Sequence, residues 1–480
     1  RCSRCRGGCA AGHAGYGVTS VCPGTALPER IHCVGIGGGG MGPLARLLAS
    51  QGHRVTGSDQ SELADVKRFE ECGIRVQCCH SVDNVADAEL LIRSAAVPEE
   101  NPEVGAALAS TVPVLKYSEA LGRLMQNRQG VAVAGTHGKT TVTALLAHLL
   151  RGVGLDPGWI VGGDPLTLPD AAGWGHGKPF IVEACEFDRS FLNLHYDIAV
   201  VTNVGCDHMD YFGDREGVHE AFCQFAQGVA PGGVLVLGRG VRDTMDWPTP
   251  PGGRILEVGK DLSVDIGSSQ SGAAEGVVHT SGGDKSAYQL SLLGAHSVDN
   301  LAVALLVATV VGAPLRELTR EVSNFNGVAR RLQDLGEQSL SQFDKSGSYR
   351  LIDDFAHHPD ALEAAESALR ARFPGRRLVA VFQPHQVSRT EEAFDGFCSI
   401  LGRFDEVLLC DIFVARDAHP ERADSVLHRL DERVGPQSQC VGPAWNAAQA
   451  VGSVLMDGDI CLVMGAGDID GLAGNLARAD

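Results

Sequence analysis

The stretch that most constrains this chain is VAVAGTHGKTTVTALLAHLL, residues 131–150: a short apolar run, a Gly-Thr-His-Gly-Lys-Thr-Thr turn, then a helical pattern. Strand, glycine-bearing turn and helix in that order make a phosphate loop. The first N–H groups of a helix lack intrahelical partners, and the helix dipole places positive charge beside them. A Walker A loop runs Gly-x4-Gly-Lys-Ser/Thr. Here Val133 stands where its first glycine would fall, and Gly135 and Gly138 lie closer together. Lys139 is the cation for the β/γ oxygens, and the Thr140 hydroxyl is a ligand for Mg²⁺. An ordinary βα turn with a surface lysine would leave the ordered set of glycines, lysine and paired threonines unexplained. ATP is therefore the expected ligand of Gly135, Thr136, His137, Gly138, Lys139, Thr140 and Thr141.

A second glycine-rich turn, GIGGGGMG from Gly35, also follows an apolar run. Taken alone it matches a dinucleotide fingerprint, with Asp59 downstream as a ribose partner. A nicotinamide-dependent oxidoreductase is the reading of this region by itself. The same turn also suits any diphosphate, including that of a nucleotide-sugar.

Four further polar clusters follow apolar runs, where open α/β sheets carry their ligands. IVEACEFDRSF offers Glu183, Glu186 and Asp188; VVTNVGCDHMDYF offers Asp207, His208 and Asp210. Solvated acidic loops are the plain alternative, but phosphoryl transfer needs metal to offset phosphate charge, and hard oxygens suit Mg²⁺. In LIDDFAHHPDALEAA, Asp353, Asp354, His357 and His358 precede a helix opened by Pro359, and VFQPHQVSRT adds His385 and Arg389. A lone histidine is more often structural than catalytic, and spacing alone does not show that these groups converge.

At 480 residues the chain holds two to four domains. Short apolar runs alternating with helical patterns predict parallel sheets. Expected strands include Pro179–Glu183 and Asp197–Asn203, with an irregular Gly/Ser-rich stretch over Gly267–Lys285. The net charge of −19 argues against a nucleic-acid or anionic-membrane partner, since either needs a basic footprint. The longest apolar stretch, Leu301–Leu315, is too short to span a bilayer and is read as a buried helix. The 15 cysteines are scattered, several inside apolar runs, as expected of reduced thiols in a cytoplasmic protein. The chain begins with Arg rather than Met. Cys2, Cys5, Cys9 and His13 lack a second pair of zinc knuckles, so residues 1–28 are read as a disordered or misassigned tail.

Taken together, GIGGGGMG, AGTHGKTT, EACEFD, DHMDYFGD, GAHSVDN, GVARRL, DDFAHHP, QPHQVSRT and MGAGDI resemble the Mur ligases of peptidoglycan synthesis, in order from about Arg30 to Gly467. The combination is most similar to the alanine-adding branch. The resemblance implies an α/β, three-domain architecture with parallel or mostly parallel sheets. A Rossmann-like UDP-substrate domain would cover 29–127, a P-loop ATP domain 128–332, and a Rossmann-like amino-acid domain 333–480. It reassigns Gly37, Gly38, Gly39, Gly40, Met41, Ser58 and Asp59 to the UDP-sugar.

The implied reaction is ATP-dependent ligation of L-alanine to the lactyl carboxylate of UDP-N-acetylmuramate through an acyl phosphate. By motif position Lys139, His208, Arg331, Asp354 and His358 would be catalytic. Asn300, Arg331 and Phe355 would join the turn around ATP; Thr140, Glu183 and His208 would hold Mg²⁺; His357, His385 and Arg389 would receive the amino acid. A monomer or weak homodimer is expected. Cys185, Phe187, Ser297, Phe355 and Gln386 depart from the family pattern. They motivate a rival reading, a catalytically silent nucleotide-sugar-binding homologue. A second rival is the recycling ligase that adds a preformed peptide to the same sugar nucleotide. The interval from Lys178 to Lys260 contains no lysine to be carbamylated, as expected of the alanine-adding branch.

Overall fold

The computed structural model describes residues 27–60, 63, 66–205, 209–267, 273–415, 417 and 419–477. Cys2, Cys5, Cys9, His13, Asp207 and His208, named above, lie outside the described residues. The described chain forms two compact units that divide after Gln126.

In the first unit five parallel strands run in the order 75–78, 54–59, 30–34, 90–93, 114–116. Strands Arg30–Val34 and Leu90–Arg93 at its centre are almost wholly buried, as expected of a parallel sheet covered on both faces. The strand order reverses beside Arg30–Val34, so the glycine turn that follows it lies at a switch point, where open sheets bind ligands.

The second unit begins with a seven-stranded sheet in the order 254–257, 234–237, 198–201, 129–134, 179–183, 158–160, 172–173, parallel except for the last pair. Helices Lys139–Gly152 and Ala295–Val311 share its apolar core. The apolar run over Leu301–Leu315 is not one helix. Gly312 adopts φ 106°, its N–H reaches Thr309, and Pro314 precedes a new helix from Leu315. A left-handed glycine with a proline behind it ends a helix whatever its hydrophobicity.

Gly267–Lys285, expected to be irregular, contains the strand Ala274–Thr280, the centre of a three-stranded antiparallel sheet. Gly276 masks it in the sequence, yet a Cβ there would collide with the Asp265 carbonyl, so the close pairing requires glycine.

The remaining sheet has six strands, in the order 333–339, 348–354, 460–464, 378–382, 406–410, 438–442. The expected strands within YRLIDDF, RLVAVFQ, EVLLCDI and DICLVMG form its interior. The unread edge strands Gln333–Ser339 and Ser438–Gly442 are largely half-exposed and lack apolar runs. Along Leu378–Phe382, Leu378, Ala380 and Phe382 enter one core while Val379 and Val381 enter another, so helices pack on both faces. Among the described residues, no helix is long and apolar enough to cross a membrane.

The loop after strand Pro179–Glu183 carries two successive residues at positive φ, Asp188 (55°) and Arg189 (49°). It is anchored by Phe191, fully buried and stacked on Phe225 at 4.8 Å. Phe191→Ala should lower the unfolding free energy by ~3–5 kcal/mol in urea titration, the cost of emptying a buried aromatic site. A loss below ~1 kcal/mol would mean that the loop is held elsewhere.

Candidate active site

The strand Gln129–Ala134 delivers the turn, and helix Lys139–Gly152 starts at Gly138. Its two glycines answer different demands. Gly135 (φ 134°) lies where a Cβ would strike the Thr202 hydroxyl, and Gly138 (φ 82°) where one would strike the Asn300 amide. Thr202 and Asn203, at the end of the adjacent strand, hold the turn from outside. The Thr202 hydroxyl donates to the His137 carbonyl at 2.6 Å, and the His137 N–H donates to Asn203 Oδ1 at 2.8 Å. The Gly205 N–H donates to the Thr136 hydroxyl at 2.7 Å. Thr202 and Asn203 were missed in the sequence, although their placement directly after an apolar strand was a signal.

Lys139 Nζ donates to the carbonyls of Gly135 and Thr136, at 2.6 and 3.2 Å, and pairs with the buried Glu186 carboxylate at 2.9 Å. Burial favours the neutral amine, but the charges of Glu186 and Glu183 and the hydrogen bond to Glu186 prevail and hold the Lys139 pKa above its ordinary value. Lys139 is therefore a fixed cation at neutral pH. Glu186, read only as part of an acidic cluster, is the partner that holds it.

Thr140 donates its hydroxyl to Glu183 at 3.0 Å, and Glu183 also accepts the Gly162 N–H at 2.9 Å. These two hard oxygen donors fit Mg²⁺. Among the described residues no group of three or more His, Cys, Asp or Glu side chains forms a metal cage. The Arg331 guanidinium reaches the same Thr140 hydroxyl at 3.3 Å and lies 4.8 Å over the Phe355 ring.

A cleft of about 500 Å³ joins these parts. Residues Thr136–Thr141, Glu183 and Asn300 line it from the seven-stranded side; Arg331, Asp354, Phe355, His357 and His358 line it from the other. His385 is absent from this lining. It sits behind His357, ring centroids 5.9 Å apart, and stacks on Phe413; burial and Arg389 lower its pKa. Arg389 occupies the short helix Val387–Glu392, which Gln386 opens at φ 65°.

The departures from the family pattern also have places. The Ser297 hydroxyl turns back to the Leu293 carbonyl at 2.6 Å, Cys185 is exposed, and the Phe187 ring packs against Tyr211 at 5.6 Å.

In the first unit, described by itself, Asp59 accepts the Gly37 N–H at 2.9 Å, and a Cβ on Gly40 would meet the Tyr117 hydroxyl. Gly38 and Gly39 complete the turn, and Met41 opens a helix as a buried residue. Ser58 is fully buried and donates to Glu103 at 2.6 Å, while its carbonyl accepts the N–H groups of Gly35 and Ile36. Its side chain thus faces inward and its backbone holds the turn. The neighbouring His32 and hydrogen bonds from Ser58 and Asn84 bring the Glu103 carboxyl down to about 2 despite burial.

Burial pushes the carboxyls of Asp353 and Asp354 up to about 6, opposed by Arg330 and Arg331 respectively. The native state thus keeps protons that unfolded aspartate, with a pKa of about 3.9, has released. Their contribution to stability falls as pH rises from about 4 to about 6 and is constant above. Asp354→Asn removes one of these titrations. The melting temperature of the variant relative to wild type should therefore rise across that interval, and a pH-independent difference would refute the shift.

Family models match along the chain: "Mur ligase family, catalytic domain" over residues 30–129, "Mur ligase middle domain" over 133–308, and "Mur ligase, glutamate ligase domain" over 340–467. The UDP-N-acetylmuramate–L-alanine ligase of Burkholderia cenocepacia is 36% identical over 462 residues, covering 94% of this chain and 98% of the relative. The ligase of the same name from Aromatoleum aromaticum is 37% identical over 466 residues, with the same coverage. Among solved structures, the UDP-N-acetylmuramate–alanine ligase of Thermotoga maritima shares the fold at TM-score 0.75 and 24% identity, covering 94% of this chain and 98% of its own. A murein peptide ligase from Psychrobacter arcticus does so at 0.72 and 22%, with equal coverage. With models matching most of its length and relatives above one-third identity along nearly all of it, this chain belongs to the Mur ligase family.

Proposed function

We propose that this chain is an ATP-dependent ligase that joins L-alanine to the lactyl carboxylate of UDP-N-acetylmuramate, in peptidoglycan precursor synthesis. One observation carries the reading: the phosphate turn, Arg331 and the Asp354–His358 segment face a single cleft, in a chain similar along its length to alanine-adding ligases. The first unit would bind the UDP-sugar through Gly37–Gly40 and Met41, with Ser58 and Asp59 bracing the turn. Residues 128–332 would bind ATP, and 333–480 the amino acid.

A carboxylate oxygen of the sugar substrate attacks the γ-phosphorus of ATP, the bond to ADP breaks, and an acyl phosphate forms. The neutral amine of alanine then adds to the carbonyl carbon. The tetrahedral adduct expels phosphate, and the amine proton is lost. Activation is needed because carboxylate oxygen is a poor leaving group and phosphate a good one.

In the first step both reactants are anions, so fixed positive charge at the transferring phosphoryl group lowers the barrier. Lys139 and Arg331 are in place to supply it. Thr140 and Glu183 would hold Mg²⁺, with His208 assigned to a second ion; when bound, such ions screen the phosphate oxygens. Asp354, beside Arg331, would hold that guanidinium toward the phosphates. His357 and His358 at the cleft wall, with His385 and Arg389 behind them, would receive the amino acid. Asn300, packed on Gly138, would face the nucleotide. Phe355 already carries Arg331 on its face, so its part at ATP would run through that arginine as much as through adenine. A cytoplasmic monomer or weak homodimer fits this reading.

Purified protein given ATP, Mg²⁺, UDP-N-acetylmuramate and L-alanine should release phosphate, and omitting the sugar nucleotide should abolish release. Parallel reactions with glycine, L-serine and a preformed peptide separate amino-acid addition from peptide recycling. Phosphate release independent of the sugar nucleotide would sink the proposal, and release only with the peptide would transfer it to the recycling reaction. Lys139→Ala should lower turnover by at least ~100-fold, as expected when a fixed donor to the reacting phosphate is removed.

A further inference from the structure

The segment Ala329–Leu332 joins the seven-stranded and six-stranded parts of the second unit. Ala329 is tied back by its N–H to the Asp164 carbonyl at 2.8 Å. The next residues are strained: Arg330 has φ 58° and Leu332 φ 45°, left-handed values that non-glycine residues adopt only when their surroundings enforce them. Arg331 lies between them.

The enforcing contacts belong to Arg330. Its carbonyl accepts the Phe355 N–H at 2.7 Å, its own N–H donates to Gln333 Oε1 at 3.1 Å, and its guanidinium donates to the Gly465 carbonyl at 2.6 Å. Arg330 Nε and Asp353 Oδ1 are buried, have no hydrogen-bond partner and face each other at 3.7 Å, close enough for charge attraction. The two guanidinium groups share the Phe355 ring, Arg330 at 5.3 Å and Arg331 at 4.8 Å from its centroid. Arg330 is thus clamped to the six-stranded sheet, while its neighbour turns toward Thr140 on the phosphate turn.

We propose that Arg330 is a positioning residue: its clamp on Asp353, Gly465 and Phe355 sets the twisted backbone that aims Arg331 at the bound nucleotide. This rests on the reading of the Lys139 turn as an ATP site. The strain at Arg330 and Leu332 is then held for the direction it gives Arg331. The bonds of Arg330 itself to Gln333, Phe355 and Gly465, and its ion pair with Asp353, all lie on the six-stranded side.

The test is a double-mutant cycle on ADP affinity, measured by isothermal titration calorimetry with Mg²⁺, melting temperature being recorded for each protein. Neither sugar nucleotide nor amino acid is present, so the result is separate from the ligase assay. Arg331→Gln and Arg330→Gln should each weaken ADP binding about tenfold, and the double variant should be within about twofold of Arg331→Gln alone, since Arg330 acts through Arg331. A purely structural role lowers the melting temperature without this non-additivity. If Arg330→Gln does not fold, Arg330→Lys carries the same cycle with the same expectation, because lysine lacks the planar fork. Wild-type affinity in the Arg330 variant, or a multiplicative loss of about a hundredfold in the double variant, would overturn the proposal. Failure of wild-type protein to bind ADP would overturn both it and the ATP reading.

Discussion

The site depends first on how a seven-residue turn with few bonds of its own is held from outside. Strands 129–134 and 198–201 are parallel neighbours, so their carboxyl ends lie side by side and the segments that follow them meet. Thr202 and Asn203 therefore fasten the carbonyl and N–H of His137, while Asn300 closes on Gly138. The compressed spacing of Gly135 and Gly138 marks two places where other atoms come too near for a side chain.

Charge is balanced within that frame locally. Over the whole chain acidic residues dominate, yet the phosphate turn holds a permanent cation, because the Lys139 ammonium faces Glu186 and Glu183 in a poorly solvated place. Such a pair is sensitive to loss of either member, since a buried charge without a partner is costly. Asp354 has the reverse balance. Its burial outweighs the charge of Arg331 and pushes the carboxyl up to about 6, whereas at Lys139 the neighbouring charges outweigh burial.

The linker couples the turn to the second half of the cleft. Successive residues turn to opposite sides there: Ala329 ties to Asp164, Arg330 to the six-stranded sheet, and Arg331 to Thr140. That sheet is a rigid backing, since alternate residues of its central strands are buried in separate cores on its two faces. A side chain aimed from such a backing has little freedom to drift.

Much was readable from local chemistry. The strand–turn–helix patterns, the phosphate loop with its lysine and threonine, and the apolar strands that end in Glu183 and Asp354 follow from residue type and spacing, because these are short-range properties of the backbone. Edge strands such as Gln333–Ser339 were not legible, since half-exposed strands carry no apolar run. The break at Gly312 was hidden by its hydrophobic neighbours, and the strand through Gly276 by the glycine that its close pairing requires. Partnerships were the larger omission. Glu186 with Lys139, Thr202 and Asn203 with the turn, Ser58 with Glu103, and Arg330 with Asp353 and Gly465 join residues from about 20 to 135 positions apart. By itself the sequence determined which chemical groups this protein owns and which strand ends present them. Tertiary structure alone decided which of them meet, because a contact between distant residues depends on how whole sheets pack.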